Sequence, residues 1–139
     1  MIDMILREQN VDDCDYIREH PLNETVFDKE PAEIYFLVTI EEDGIPLATG
    51  GIKMENTTTA SCWLCLSKDA QAHIIEVYRT IRVWLDKIAK EKGIKRLQAY
   101  VDCSFKQGIR ILEHLGFEFE HKLENFFGDK PADLYRRFI

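Results

Sequence analysis

One stretch limits the folds open to this chain more than any other. Between residues 74 and 92, Ile74, Val77/Tyr78, Ile81, Trp84/Leu85 and Ile88 recur at helical spacing, which lays a single apolar stripe along a helix. Ser67 or Asp69 offers an N-cap and Gly93 a terminator, so the sequence predicts a helix from that cap to Lys92. Before it, Thr57 to Leu66 reads as a strand, with adjacent threonines, Trp63 and Leu64; after it, Leu97 to Val101 reads as another. A strand-helix-strand crossover requires the two strands to run parallel through a right-handed connection.

The flanking segments fill in the rest of a sheet. Met4 to Arg7 predicts a short strand, and Asn10 caps a helix carrying Val11, Cys14, Tyr16 and Ile17 until Pro21 stops it. A loose acidic stretch covers Asn23 to Pro31. Ile34 to Ile40 and Leu47 to Met54 predict a hairpin around Glu41-Glu-Asp-Gly44, the second strand passing through Gly50-Gly51. Ser104 to Leu115 predicts a helix ended by Gly116. Phe117 to Phe127 and Leu134 to Ile139 predict two strands around the turn sequence Gly128-Asp-Lys-Pro131. The expectation is an α+β fold with a mixed sheet of about six or seven strands flanked by helices. No Gly/Ser/Pro-rich linker divides the 139 residues, which predicts one domain over 1–139.

Composition narrows the function classes. With 45% hydrophobic residues and a net charge of -7, the chain is neither disordered nor collagenous. No apolar run approaches the roughly 20 residues of a membrane span, and the start lacks a basic region and cleavage site. The expectation is therefore a cytoplasmic protein, with Cys14, Cys62, Cys65 and Cys103 as free thiols. Residues 1–70 carry 15 acids and 5 bases, while nine bases and three acids lie between Arg79 and Arg110. That basic stretch could receive phosphates, or simply solvate a helix and favour its C-terminal end. The overall acidity argues against a nucleic-acid partner.

The string Arg96-Leu-Gln-Ala-Tyr-Val-Asp-Cys-Ser-Phe-Lys-Gln-Gly-Ile-Arg-Ile-Leu-Glu-His-Leu-Gly-Phe117, through Ile109-Arg110, Glu113 and Leu115-Gly116-Phe117, resembles the C-terminal half of the GNAT (GCN5-related N-acetyltransferase) superfamily. The order of elements resembles that superfamily along the whole chain. Through Ser61-Cys-Trp-Leu and the helix after it, the chain also resembles short GNAT-like proteins of tailed phages, of the internal virion protein A type, which implies a host cytoplasm or a virion. The superfamily resemblance implies a parallel strand pair that splays, acetyl-CoA as cofactor and an amine as acceptor. It places the pantetheine amides against the backbone near Cys65 and Leu66, the pyrophosphate at the amides opening the Ala70 to Tyr78 helix, and the thioester between Leu64/Cys65 and Tyr100.

Two departures from the family pattern bear on chemistry. The family's phosphate loop is glycine-rich, yet no glycine occurs from Ile52 to Lys92. Its frequent tyrosine acid, four residues before the glycine of Leu-Gly-Phe, is Leu112 here. Side-chain cations therefore become candidates to replace the loop: Lys68, Arg79 and Arg82, with His73 as a further donor. Tyr100 is the remaining proton donor for a departing thiolate, or else a core aromatic.

Other residues invite weaker readings. Cys62 and Cys65 lie three apart on a strand and so face opposite ways, which disfavours a shared zinc ion; no metal is expected. Cys103, before a helix and near Lys106, could be a reactive thiol. Glu118, Glu120, His121 and Glu124 could recognise an amine or form a wet strand face. The alternative to an enzyme is a non-catalytic scaffold that binds a host or virion protein.

Overall fold

A computed structural model describes residues 4–22 and 35–139, with the side chains of Val11 and Tyr35 excepted. The elements are β1 (Met4–Glu8), α1 (Val11–Glu19), β2 (Tyr35–Glu42), β3 (Ile45–Met54), β4 (Thr59–Leu66), a 3-10 helix (Lys68–His73), α2 (Ile74–Lys92), β5 (Arg96–Asp102), α3 (Lys106–His114), β6 (Glu118–Phe127) and β7 (Lys130–Phe138). Among the described residues they build one seven-stranded mixed sheet, ordered β1-β2-β3-β4-β5-β7-β6. The acidic stretch from Asn23 and the start of the second strand at Ile34 lie outside the described residues.

The crossover runs as its spacing requires. β4 pairs parallel with β5 from Thr59↔Arg96 to Cys62↔Ala99, and both strands run on beyond that register, to Leu66 and Asp102. β1–β2, β2–β3, β5–β7 and β6–β7 pair antiparallel. The stripe of α2 faces inward: Val77 and Leu85 are buried and Ile74, Tyr78, Ile81, Trp84 and Ile88 half-buried, whereas Ile75 and Val83 face solvent.

By contact density the chain divides into two compact units, Met1–Lys53 with Trp63–Thr80, and Met54–Cys62 with Ile81–Ile139. In the first, α1 begins with a capping box: Asn10 Oδ1 accepts from the Asp12 amide at 3.0 Å and Asp13 Oδ2 from the Asn10 amide at 2.8 Å. The core holds Ile17, Ile40, Leu47, Ile52 and Val77. The glycine pair in β3 answers a steric demand. A Cβ at Gly50 would stand 2.2 Å from the Trp63 carbonyl oxygen, and one at Gly51 2.1 Å from that of Phe36, so no side chain fits at either position.

In the second unit, Leu97, Ala99 and Val101 of β5 are buried, with Ile111 and Leu115 of the α3 region and Phe117. Gly116 ends α3 at φ +87°, a left-handed conformation in which glycine carries no Cβ penalty. β7 is longer than the sequence suggests. It starts at Lys130, so the turn shrinks to Gly128 and Asp129. Pro131 is tolerated inside it because it falls where the β6–β7 register shifts, between the Leu123↔Ala132 and Phe127↔Lys130 pairs.

Candidate functional site

The long helix does not begin where its capping residues suggest. Residues 68–73 form a 3-10 helix and the α-helix starts only at Ile74. Ser67 makes no side-chain cap; its buried hydroxyl donates instead to the Pro46 carbonyl at 2.8 Å, tying the end of β4 to β3. Asp69 is not a cap either, because its Oδ2 accepts from the Tyr16 hydroxyl at 2.6 Å. Both residues are used by neighbouring elements, which leaves the first turn without a side-chain cap.

The main chain at the end of β4 has an inner and an outer edge. Ser67 N–H donates to the Leu47 carbonyl at 2.9 Å, and the Trp63 carbonyl abuts Gly50, so the odd-numbered residues, Cys65 among them, turn their backbone groups toward β3. The even-numbered ones point the other way. There the Leu66 carbonyl accepts from Leu22 N–H at 2.8 Å and Lys68 N–H donates to the His20 carbonyl at 3.0 Å, a short antiparallel bridge centred on Pro21 and Ser67. Of the two residues assigned to a pantetheine arm, Leu66 rather than Cys65 addresses this edge. The next pair inward on it is the Leu66 amide with the Leu64 carbonyl.

The cationic candidates separate by environment. Lys68 is exposed and shares a groove of about 340 Å³ with His73, Glu42, Asp43, Asp69, Ile45, Leu47 and Ala72. His73 is half-buried, its Nε2 3.4 Å from Glu42 Oε2. Three carboxylates against one lysine and one histidine leave this groove acidic on balance. Arg79 is exposed on α2, and among the described residues nothing pairs with its side chain. Arg82 is committed: its Nη1 donates to the His114 carbonyl at 3.2 Å, at the negative end of α3.

Tyr100 lies on β5 in the second unit, 38% exposed. Its ring stacks on Phe126 at 4.6 Å between centroids, Phe126 meets Phe127 edge-on at 5.0 Å, and Gln98 Nε2 stands 3.4 Å from its hydroxyl. Tyr100 is thus neither a buried core aromatic nor a free side chain. Leu112, at the position of the family's acid, is half-buried on α3.

The reactive-thiol reading of Cys103 is overturned. Its Sγ donates to Asp133 Oδ1 at 3.1 Å, and burial together with that carboxylate raises its pKa, which keeps it a thiol. Burial also pushes the Cys62 and Cys65 thiols up to about 12. The β6 carboxylates are partly spent as well: Glu118 pairs with Arg136 at 3.0 Å, and Glu120 takes a two-pronged contact from Arg96. Two residues of this region, Tyr16 and His20, make contacts that have no signal in the sequence, although Tyr16 is legible there as part of the first helix. Tyr16 meets Asp69 and His20 meets Lys68, partners far along the chain that no local spacing marks.

The chain has the fold of known N-acetyltransferases. It superposes on the ribosomal-protein-S18-alanine N-acetyltransferase from Escherichia coli with a TM-score of 0.76 at 16% identity, over 99% of this chain and 94% of that one. The yncA protein of Salmonella typhimurium, in a structure with its cofactor acetyl-CoA, gives 0.73 at 16% identity over 97% and 93%. A point variant of the spermidine N-acetyltransferase SpeG from Vibrio cholerae gives 0.78 at 12% identity, over 97% and 93%. No protein-family model matches the chain, and no curated protein sequence does. The mixed sheet with its parallel β4–β5 pair, expected from the resemblance to the GNAT superfamily, is therefore the fold of this chain.

Proposed function

We propose that the chain is an acetyl-CoA-dependent N-acetyltransferase acting on an amine by direct attack. The observation that carries this reading is likeness of fold over nearly the whole chain to acetyltransferase structures, one of them holding acetyl-CoA. Fold alone does not assign chemistry, so the residues must be able to support it.

Acetyl-CoA, when bound, supplies an acyl thioester. In this reading the Leu66 amide and Leu64 carbonyl hold the amides of its arm on the outer edge of β4, beside Cys65. Lys68 and Arg79 provide side-chain cations for its phosphates, with His73 as a further donor. These take over the task that glycine-flanked amides perform in the family, since the family's glycine positions fall near Ile74, Glu76 and Tyr78 or, offset by a turn, at Ala70 and Ala72, all of which carry side chains. Tyr100 would supply the proton that the thiolate takes up as the C–S bond breaks, while the proton shed by the attacking nitrogen would pass to solvent, from which the partly exposed Tyr100 would be reprotonated.

The test is release of free thiol from acetyl-CoA in the presence of a panel of amines, among them a polyamine and a peptide with a free N-terminus. Thiol release that depends on the amine is expected. Tyr100→Phe should lower turnover roughly 10²–10⁴-fold while leaving acetyl-CoA affinity nearly intact, because it removes a proton donor and little else. Lys68→Ala and Arg79→Ala should each weaken acetyl-CoA binding about tenfold, as expected for a lost charge-assisted bond at an exposed site. Absence of thiol release with every amine would overturn the reading.

One set of observations favours a second reading, a binding scaffold without turnover that acts on a host or virion protein as the phage resemblance implies. No glycine lies between Ile52 and Lys92, leucine stands at position 112, and the Leu66 carbonyl and Lys68 amide are already engaged by residues 20–22. That reading predicts neither thiol release nor acetyl-CoA binding.

A further inference from the structure

The segment after β4 sets a carboxylate beside the very lysine proposed to meet phosphates. Asp69 follows Lys68 in the chain, is exposed, and lines the same groove. A carboxylate so placed offsets the field that Lys68 presents to an anion. In this structure Asp69 is restrained. Tyr16 Oη donates to its Oδ2 at 2.6 Å, and the Tyr16 ring is itself fixed by stacking on His20, with centroids 4.3 Å apart and planes 18° from parallel. His20 in turn accepts the Lys68 amide through its carbonyl, and its Nδ1 lies 2.9 Å from the Tyr16 carbonyl. The helix bearing Tyr16 has its own anchor, since Asp13 binds Arg7 through both carboxylate oxygens, at 2.7 and 2.8 Å. The hydrogen bond to Asp69, with some burial, pushes the Tyr16 phenol up to about 12, so it remains a donor throughout the neutral range.

We propose that Tyr16 is a positioning residue for the cofactor: its phenol ties the Asp69 carboxylate to α1 and so limits how far that carboxylate offsets Lys68 toward the phosphates, in a groove that Glu42 and Asp43 also line. This rests on the acetyl-CoA reading above. It assigns a role to a residue that touches neither cofactor nor acceptor, and it explains why an acidic side chain is tolerated beside Lys68.

The experiment is a titration with acetyl-CoA, at low ionic strength, of the wild type, Tyr16→Phe, Asp69→Asn and the double variant. Tyr16→Phe keeps the ring and its stacking, and a melting curve run alongside establishes that it is folded. It should weaken binding about two- to fivefold, the range of an exposed charge interaction, and raise KM for acetyl-CoA with kcat unchanged. Asp69→Asn in the Tyr16→Phe background should restore wild-type affinity or better, because no charge is then left to restrain. Equal binding by the wild type and Tyr16→Phe would overturn the proposal alone. So would a double variant as weak as Tyr16→Phe, which would mean the phenol acts only through packing. A wild type that binds no acetyl-CoA would instead overturn the proposed function, and this inference with it.

Discussion

Asp13 shows how much a single side chain can organise. It is 2% exposed, and besides both Arg7 bonds it accepts from the Asn10 amide and from Thr39 Oγ1, each at 2.8 Å. Thr39 continues to Thr49 at 3.0 Å, and Gln9 reaches Thr49 at 2.6 Å, so the network links β1, α1, β2 and β3. Burial alone would raise the Asp13 pKa, but the bonds from Arg7, Asn10 and Thr39 hold it below the ordinary carboxylate value. A group whose folded pKa is depressed contributes stability that is present above its unfolded pKa and is lost as pH falls through the folded one. Asp13→Asn should therefore cost about 2–4 kcal/mol at pH 7, and its deficit against the wild type should shrink below about pH 4. Urea melts at pH 7 and in acid measure this. An equal deficit at both would mean that shape rather than charge holds the network. In the sequence Asp13 is legible only as part of a helix start, because Thr39 and Arg7 reach it through tertiary folding. Asp69 misleads for the same reason: a residue that caps helices well also accepts any donor that folding brings near, and here that donor is Tyr16.

At the scale of elements, the periodic parts are legible in the sequence and the irregular ones are not. The stripe of α2 places Val77 and Leu85 inside and leaves Ile75 and Val83 outside, because a 3.6-residue period admits only one buried face. Leu85→Ala should cost about 2–5 kcal/mol, whereas Val83→Ala, at 70% exposure, should stay within about 0.5 kcal/mol. Comparable losses from both would show that the helix packs on a different face. The 3-10 helix at 68–73 escapes such reasoning, since three-residue and four-residue hydrogen bonding share most of their side-chain signals over so short a run. β3 offers a sharper test of packing. Gly50→Ala must push the Cβ away from the Trp63 carbonyl, which is main chain and cannot rotate aside, so a loss of several kcal/mol or failure to fold is expected. Stability within about 1 kcal/mol of the wild type would mean that β3 and β4 separate easily at this point.

At the scale of the molecule, the strand-helix-strand spacing around α2 is enough to require the parallel β4–β5 pair, and with it a mixed sheet. The candidate site is less legible. Its residues act through backbone edges and through contacts between Tyr16, His20 and the 3-10 helix, and none of these has a sequence period. Whether that site holds a cofactor has a consequence that does not depend on turnover. A ligand that binds only the folded chain stabilises it according to its concentration over Kd, and at 100 times Kd the gain is about 2.7 kcal/mol. For a chain of this size that raises the melting temperature on the order of 10 °C. We expect such a rise with acetyl-CoA, a smaller one in Lys68→Ala at the same concentration, and an undiminished one in Tyr100→Phe, whose proposed task comes after binding. A rise that Lys68→Ala leaves untouched would remove Lys68 from the site while keeping the cofactor. A flat curve at millimolar acetyl-CoA would favour the scaffold reading, with a basic partner expected for residues 1–70, where 15 acids face 5 bases. Capture of that partner should then weaken as salt is added, since an attraction of this kind is screened within about 10 Å at 0.1 M ionic strength.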